Sequence, residues 1–119
     1  MISPARYTVA AAVLLSASAA SAAEDVISAN RLLPACKAFI ANGGDYPPIG
    51  AGEAGRCVGL MRGLWYARLP FGSCPPAEVT WGQMVRVAIT YIEARPERMH
   101  EDFGVLAVEA MQKAWPCKK

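Results

Sequence analysis

Apolar residues recur at helical spacing in four stretches of the chain. In the first, Leu32, Leu33, Cys36, Phe39 and Ile40 follow the three-and-four rhythm that gathers side chains on one side of a helix. This predicts a helix from about Ser28 to Ile40, with Pro34 in its first turns, where a missing N–H costs little, and the stop signal Asn42-Gly43-Gly44 behind it. A second helix is expected from about Glu53 to Arg68, aligning Cys57, Leu60, Met61, Leu64 and Ala67. Gly55, Gly59 and Gly63 share another face of it. Glycine in a helix interior costs up to ~1 kcal/mol against alanine, so close approach by a neighbouring backbone is the expected return.

The third helix has the clearest start. Thr80 and Gln83 have the spacing of a capping box, and Val79 and Met84 that of a hydrophobic staple. Trp81, Met84, Val85, Ala88, Tyr91 and Ile92 form its stripe. Pro96 ends this helix and suits the first turn of a fourth. Along that fourth helix Phe103, Leu106, Ala107, Ala110, Met111 and Ala114 recur until Pro116. "VRVAITYI" holds β-branched residues, but the cap and the helical period outweigh them. The pattern predicts an all-α fold, a small four-helix up-down bundle whose sequential helices run antiparallel.

Ahead of these stretches the pattern changes. Arg6 precedes an apolar run, Tyr7 to Leu15, and a small-residue tract, Ser16 to Ala23; the first acidic residue is Glu24. That order is a secretory signal, with Ala20 and Ala22 at the −3 and −1 positions for cleavage after Ala22, and cutting after Ala23 nearly as good. The apolar run is shorter than the ~20 residues of a spanning helix. No Cys lies near the cut for lipid attachment, and nothing after Ala23 is long and apolar enough to span a bilayer. The expected organisation is a cleavable signal peptide at 1–23 and one helical domain at 24–119, exported to the periplasm.

Charge narrows the function. Of 12 basic and 10 acidic residues, only Arg6 falls in the expected signal peptide, so the exported domain is near neutral with mixed signs along its length. A nucleic-acid binder would show a clustered basic excess; the Lys118-Lys119 tail reads as a solvated end.

All four cysteines, Cys36, Cys57, Cys74 and Cys117, fall in the exported part. An even number in a short exported chain reads as a disulfide framework with three possible pairings. Zinc modules bring ligands in close pairs, whereas these spacings are wide and the only histidine is His100. Antiparallel neighbours place Cys36 and Cys57 at matching levels of the first two helices. Cys74 and Cys117 follow the second and fourth helices, at the same end of an up-down bundle. The expected bridges are therefore Cys36–Cys57 and Cys74–Cys117, each contributing about 3–4 kcal/mol.

No arrangement of residues spells out a reaction. "GAGEAG", Gly50 to Gly55, satisfies a dinucleotide-binding string, but no strand precedes it and no βαβ unit surrounds it, so it reads as a flexible loop entering the second helix. His100 in "ERMHED" has no second histidine beside it, and no nucleophile, base and orienting group assemble. The cluster reads as a charged first turn of the fourth helix. Trp65, Trp81 and Trp115 read as core or interface aromatics, with Trp65-Tyr66 a candidate protein contact beside the glycine face. No catalytic residue, metal or cofactor is expected; what remains is a small exported binding protein.

At this point the chain resembles the Rap/Tai family, the exported immunity proteins that bacteria with type VI secretion make against their own peptidoglycan amidases. The resemblance covers nearly the whole exported part: "LLPACKAF", then "GRCVGLMRGLWYA", then the run from Cys74 to Cys117. Its most specific elements are Cys57 with Gly59 and Gly63, the "VTWGQ" helix start, Pro96-Glu97 with His100, and Trp115-Pro116-Cys117. It implies a periplasmic, all-helical, homodimeric protein without catalytic activity that binds an amidase and obstructs its active-site groove. It also implies that the connection Ala94 to His100 meets the effector, offering Arg95, Glu97, Arg98 and His100, the charged ones exposed. The rival class is a periplasmic acid-stress chaperone, also small, helical and disulfide-bonded, which works by unfolding at low pH.

Overall fold

A computed structural model describes residues 25–44 and 51–118. The expected signal peptide, its cleavage site and residues 45–50 lie outside those residues. Four α-helices follow one another: α1 (Ala29–Ala41), α2 (Ala51–Tyr66), α3 (Trp81–Glu93) and α4 (Phe103–Ala114), with a short 3-10 turn at Pro96–Arg98 between the last two. Among the described residues there is no strand, only two isolated bridges, Ser28 with Asp102 and Ser73 with Pro116. The all-α, four-helix class read from the periodicity holds.

The local signals act as chemistry says they should. Ser28 and Thr80 cap α1 and α3 by accepting from the Arg31 and Gln83 N–H groups, and positive-φ Gly43 and Gly44 turn the chain away after α1. Pro34 is an exception. It is the sixth residue of α1, past the four donors that are free at a helix start, so it removes an intrahelical bond after all. Pro96 does not open α4. It opens the 3-10 turn, and α4 starts only at Phe103, where Asp102 accepts from the Gly104 and Val105 N–H groups. "GAGEAG" is helical from Ala51 onward rather than a loop.

The core collects the expected stripes. Phe103, Met61, Met84, Ile92, Leu106 and Met111 are among its largest fully buried side chains. Ala54, Val58 and Ile89 join them, and Ala114 stays exposed. Helices α2 and α4 run in the same direction, as alternate members of an up-down order do: Leu60 faces Gly104, Leu64 and Val108 line one cleft further along, and the chain after each helix is tied to the other by Cys74–Cys117.

Both expected disulfides are present, Cys36–Cys57 and Cys74–Cys117. Among the described residues no cysteine is free. The first bridge lies in the core, with both cysteines at 0% exposure. The second ties the loop after α2 to the end of α4 near the surface, where the Cys74 N–H also donates to the Trp115 carbonyl at 2.7 Å. Gly59 and Gly63 depart from expectation: a Cβ on either would meet nothing within 4 Å. At Gly59 and Gly63 no backbone among the described residues approaches α2.

Candidate functional site: the braced connection between α3 and α4

The segment from Ala94 to Asp102 is held by the start of α1. The first N–H groups of a helix have no partner inside it. Here the Ala29 N–H donates to the Glu101 carbonyl at 2.9 Å and the Asn30 N–H to the Met99 carbonyl at 2.8 Å. In return, the Phe103 N–H at the start of α4 donates to the Ile27 carbonyl at 2.8 Å. Asp25 secures the incoming strand of chain by accepting from the Ser28 hydroxyl and N–H. The hydroxyl bond first, then the N–H bond, holds the Asp25 carboxyl below its ordinary pKa. The connection is thus tied to two helix starts by main-chain bonds, and Pro96 fixes φ within it.

A side-chain network completes the brace. Arg98 points back onto the bundle and donates to two carboxylates: to Glu101 through Nε at 2.9 Å and Nη2 at 2.7 Å, and to Glu109 of α4 through Nη1 at 2.6 Å and Nη2 at 2.9 Å. The Tyr91 hydroxyl of α3 donates to Glu109 at 2.8 Å. The Arg98 guanidinium foremost, then the Tyr91 hydroxyl, lowers the Glu109 carboxyl to about 2. Arg98 likewise lowers Glu101, and its own pKa is raised by Glu109 first and Glu101 second. These paired, charge-assisted bonds favour a single arrangement of the connection.

The four residues expected to face a partner therefore divide. Glu97 and His100 are exposed. Arg95 is half-buried: its guanidinium lies 3.6 Å from the centre of the Tyr91 ring and donates to the Tyr91 carbonyl at 2.8 Å. Arg98 is not the exposed charge it was expected to be. It is half-buried and fully engaged within the chain, a positioning group for the loop. His100, expected in the first turn of α4, instead lies in the turn before it. Glu109 was not singled out by sequence, and Tyr91 was read only as part of the apolar stripe of α3. The available signal was a lone carboxylate between Val108 and Ala110, at the edge of the buried stripe of α4.

The aromatic pair at the end of α2 also divides. Trp65 meets Trp81 edge-on, ring centres 5.9 Å apart, and Arg68 covers its ring at 4.2 Å. Tyr66 stands 81% exposed. Among the described residues there is no cluster of three or more His, Cys, Asp or Glu side chains arranged to hold a metal, and no helix long and apolar enough to cross a membrane.

A search of curated proteins returns no match to the chain, and neither does a search of solved structures. A family model, described as Rap1a immunity proteins, matches residues 28–117, from the cap of α1 through all four helices to the last cysteine. The chain belongs to the Rap1a immunity protein family.

Proposed function

We propose that the exported domain works in the periplasm as the immunity partner of a peptidoglycan amidase delivered by type VI secretion, binding the amidase and occluding its cleft without catalysis of its own. The observation that supports this most is the bracing of the Ala94–Asp102 connection. A loop already fixed by helix-start bonds and by the Arg98 network loses little conformational freedom on docking, so more of its contact energy appears as affinity. Glu97 and His100 stand at its exposed surface, and Arg95 lies flat on Tyr91 beside them. In this reading Glu97 and His100 touch the amidase, Arg95 borders the contact, and Arg98 holds the loop in the shape that fits.

The test separates contact from positioning. Glu97→Arg with His100→Glu alters the exposed tip and leaves the brace intact. Titrated calorimetrically against a type VI secreted peptidoglycan amidase that the wild type binds, this variant is expected to bind at least ~30-fold more weakly, about 2 kcal/mol, with unchanged melting. Unchanged binding would move the contact elsewhere, and wild-type protein that binds no amidase would end the immunity reading.

A further inference from the structure

The groove between α3 and α4, on the side of the bundle that carries Arg86 and Lys113, joins an apolar lining to charges of one sign. It measures about 430 Å³. Its floor and walls are apolar, from Val87, Tyr91, Ala94, Ala110 and Ala114. The three alanines leave it open, because no longer side chain from either helix fills the space. Its charged lining residues are Arg86, Arg95 and Lys113, and no carboxylate is among them. In a domain of mixed and nearly balanced charge, that one-sided rim is a local departure. Arg86 and Lys113 are exposed. Arg86 and Arg95 stand roughly two and a half helical turns apart, ~13 Å along the α3 side.

We infer that this groove is a docking site for an acidic amphipathic helix of a partner protein, its apolar stripe on the alanine floor and its carboxylates on the Arg86, Arg95 and Lys113 rim. The length, the apolar floor and the flanking cations are the features by which a groove receives a helix. The spacing of the cations selects the ligand class. A single-headed amphiphile offers one negative charge at one end, whereas cations at both ends and on both helices call for charges spaced along the ligand. This surface adjoins the exposed tip only at Arg95, and the changes at Arg86, Thr90 and Lys113 used below leave Glu97 and His100 untouched, so the inference does not depend on the amidase reading.

The experiment uses the exported protein and a synthetic helical peptide with a leucine stripe flanked by glutamates. A second peptide has lysine at each glutamate, and dodecanoate serves as the single-headed probe. The glutamate peptide is expected to bind, more weakly as salt is raised. Thr90→Trp, which sets a ring into the groove from an exposed position, and the double change Arg86→Glu with Lys113→Glu should each weaken it at least tenfold. The double variant should in turn bind the lysine peptide better than the wild type does, a swap that misfolding cannot imitate. Absence of binding, equal binding to wild type and both variants, or equal binding of the two peptides to wild type would overturn the inference. So would displacement of the peptide by dodecanoate, which would assign the groove to a lipid.

Discussion

Arg98 shows how a charged residue can be legible in type and misleading in role. In sequence it sits among Glu97, His100 and Glu101, and such a cluster reads as solvated charge. Its fork onto Glu109 reaches from the end of a 3-10 turn across the next turn and the start of α4, so no helical spacing announces it. What selects it is geometry: a guanidinium has donors enough for two carboxylates, and Tyr91 supplies a further bond to one of them. Arg98→Met is expected to lower the melting temperature. It should also speed hydrogen exchange at Ala29 and Asn30, whose N–H groups end on carbonyls of the connection. Exchange at those two amides that matches the wild type would show that the main-chain bonds hold the loop unaided. Arg98→Lys should rescue only in part, since an ammonium cannot reproduce the fork.

At the scale of elements, periodicity was enough where a helix buries one stripe, and not enough where the chain changes direction. Thr80 marks the start of α3 because a hydroxyl before an apolar run has one effective use, the free amide of Gln83. Pro96 is ambiguous in kind. It suits the first position of an α-helix and of a 3-10 turn alike, and the cap at Asp102 decides between them. The glycines of α2 mislead differently, because glycine is informative only about the space around it. With open space at Gly59 and Gly63, each change to alanine is expected to raise stability by about 0.5–1 kcal/mol in urea unfolding. A loss of stability at either position would mean that something docks there in solution, with a second copy of this chain the first candidate for light scattering to check. The two bridges should also differ. Cys74 is exposed and Cys36–Cys57 is fully buried, so a water-soluble phosphine under native conditions should open Cys74–Cys117 first. Alkylation and peptide mapping would show it, and simultaneous opening would mean that the core opens as readily as the surface.

For the whole molecule, the fold was legible because a chain this small has few ways to bury four stripes and join four cysteines, and the bundle that does one also does the other. The rival to immunity, an acid-activated chaperone, is a statement about the whole domain as well: it requires the packed state to collapse in mild acid. Linkage decides how far the pH must fall before that happens. A carboxylate whose folded pKa lies below its unfolded value stabilises the fold above the unfolded pKa, and this contribution is lost only as pH falls towards the folded one. Glu109, held at about 2 by Arg98 and Tyr91, loses its contribution between an ordinary carboxylate pKa near 4.5 and about 2. Its network therefore keeps part of its strength at pH 3, and Glu101 and Asp25 shift in the same direction. The bridges act in parallel, closing loops of 21 and 43 residues in the unfolded chain. Loop-closure entropy makes each worth about 3–4 kcal/mol whatever the pH, the longer loop only slightly more. The exported domain is therefore expected to keep its near-ultraviolet circular dichroism and bind little hydrophobic dye at pH 3, losing its fold only closer to pH 2. Glu109→Gln should flatten the stability profile across that window. If the native signal instead disappears near pH 4, with a rise in dye binding and protection of a client protein from aggregation, the domain is built to open in acid, and the chaperone reading replaces amidase occlusion.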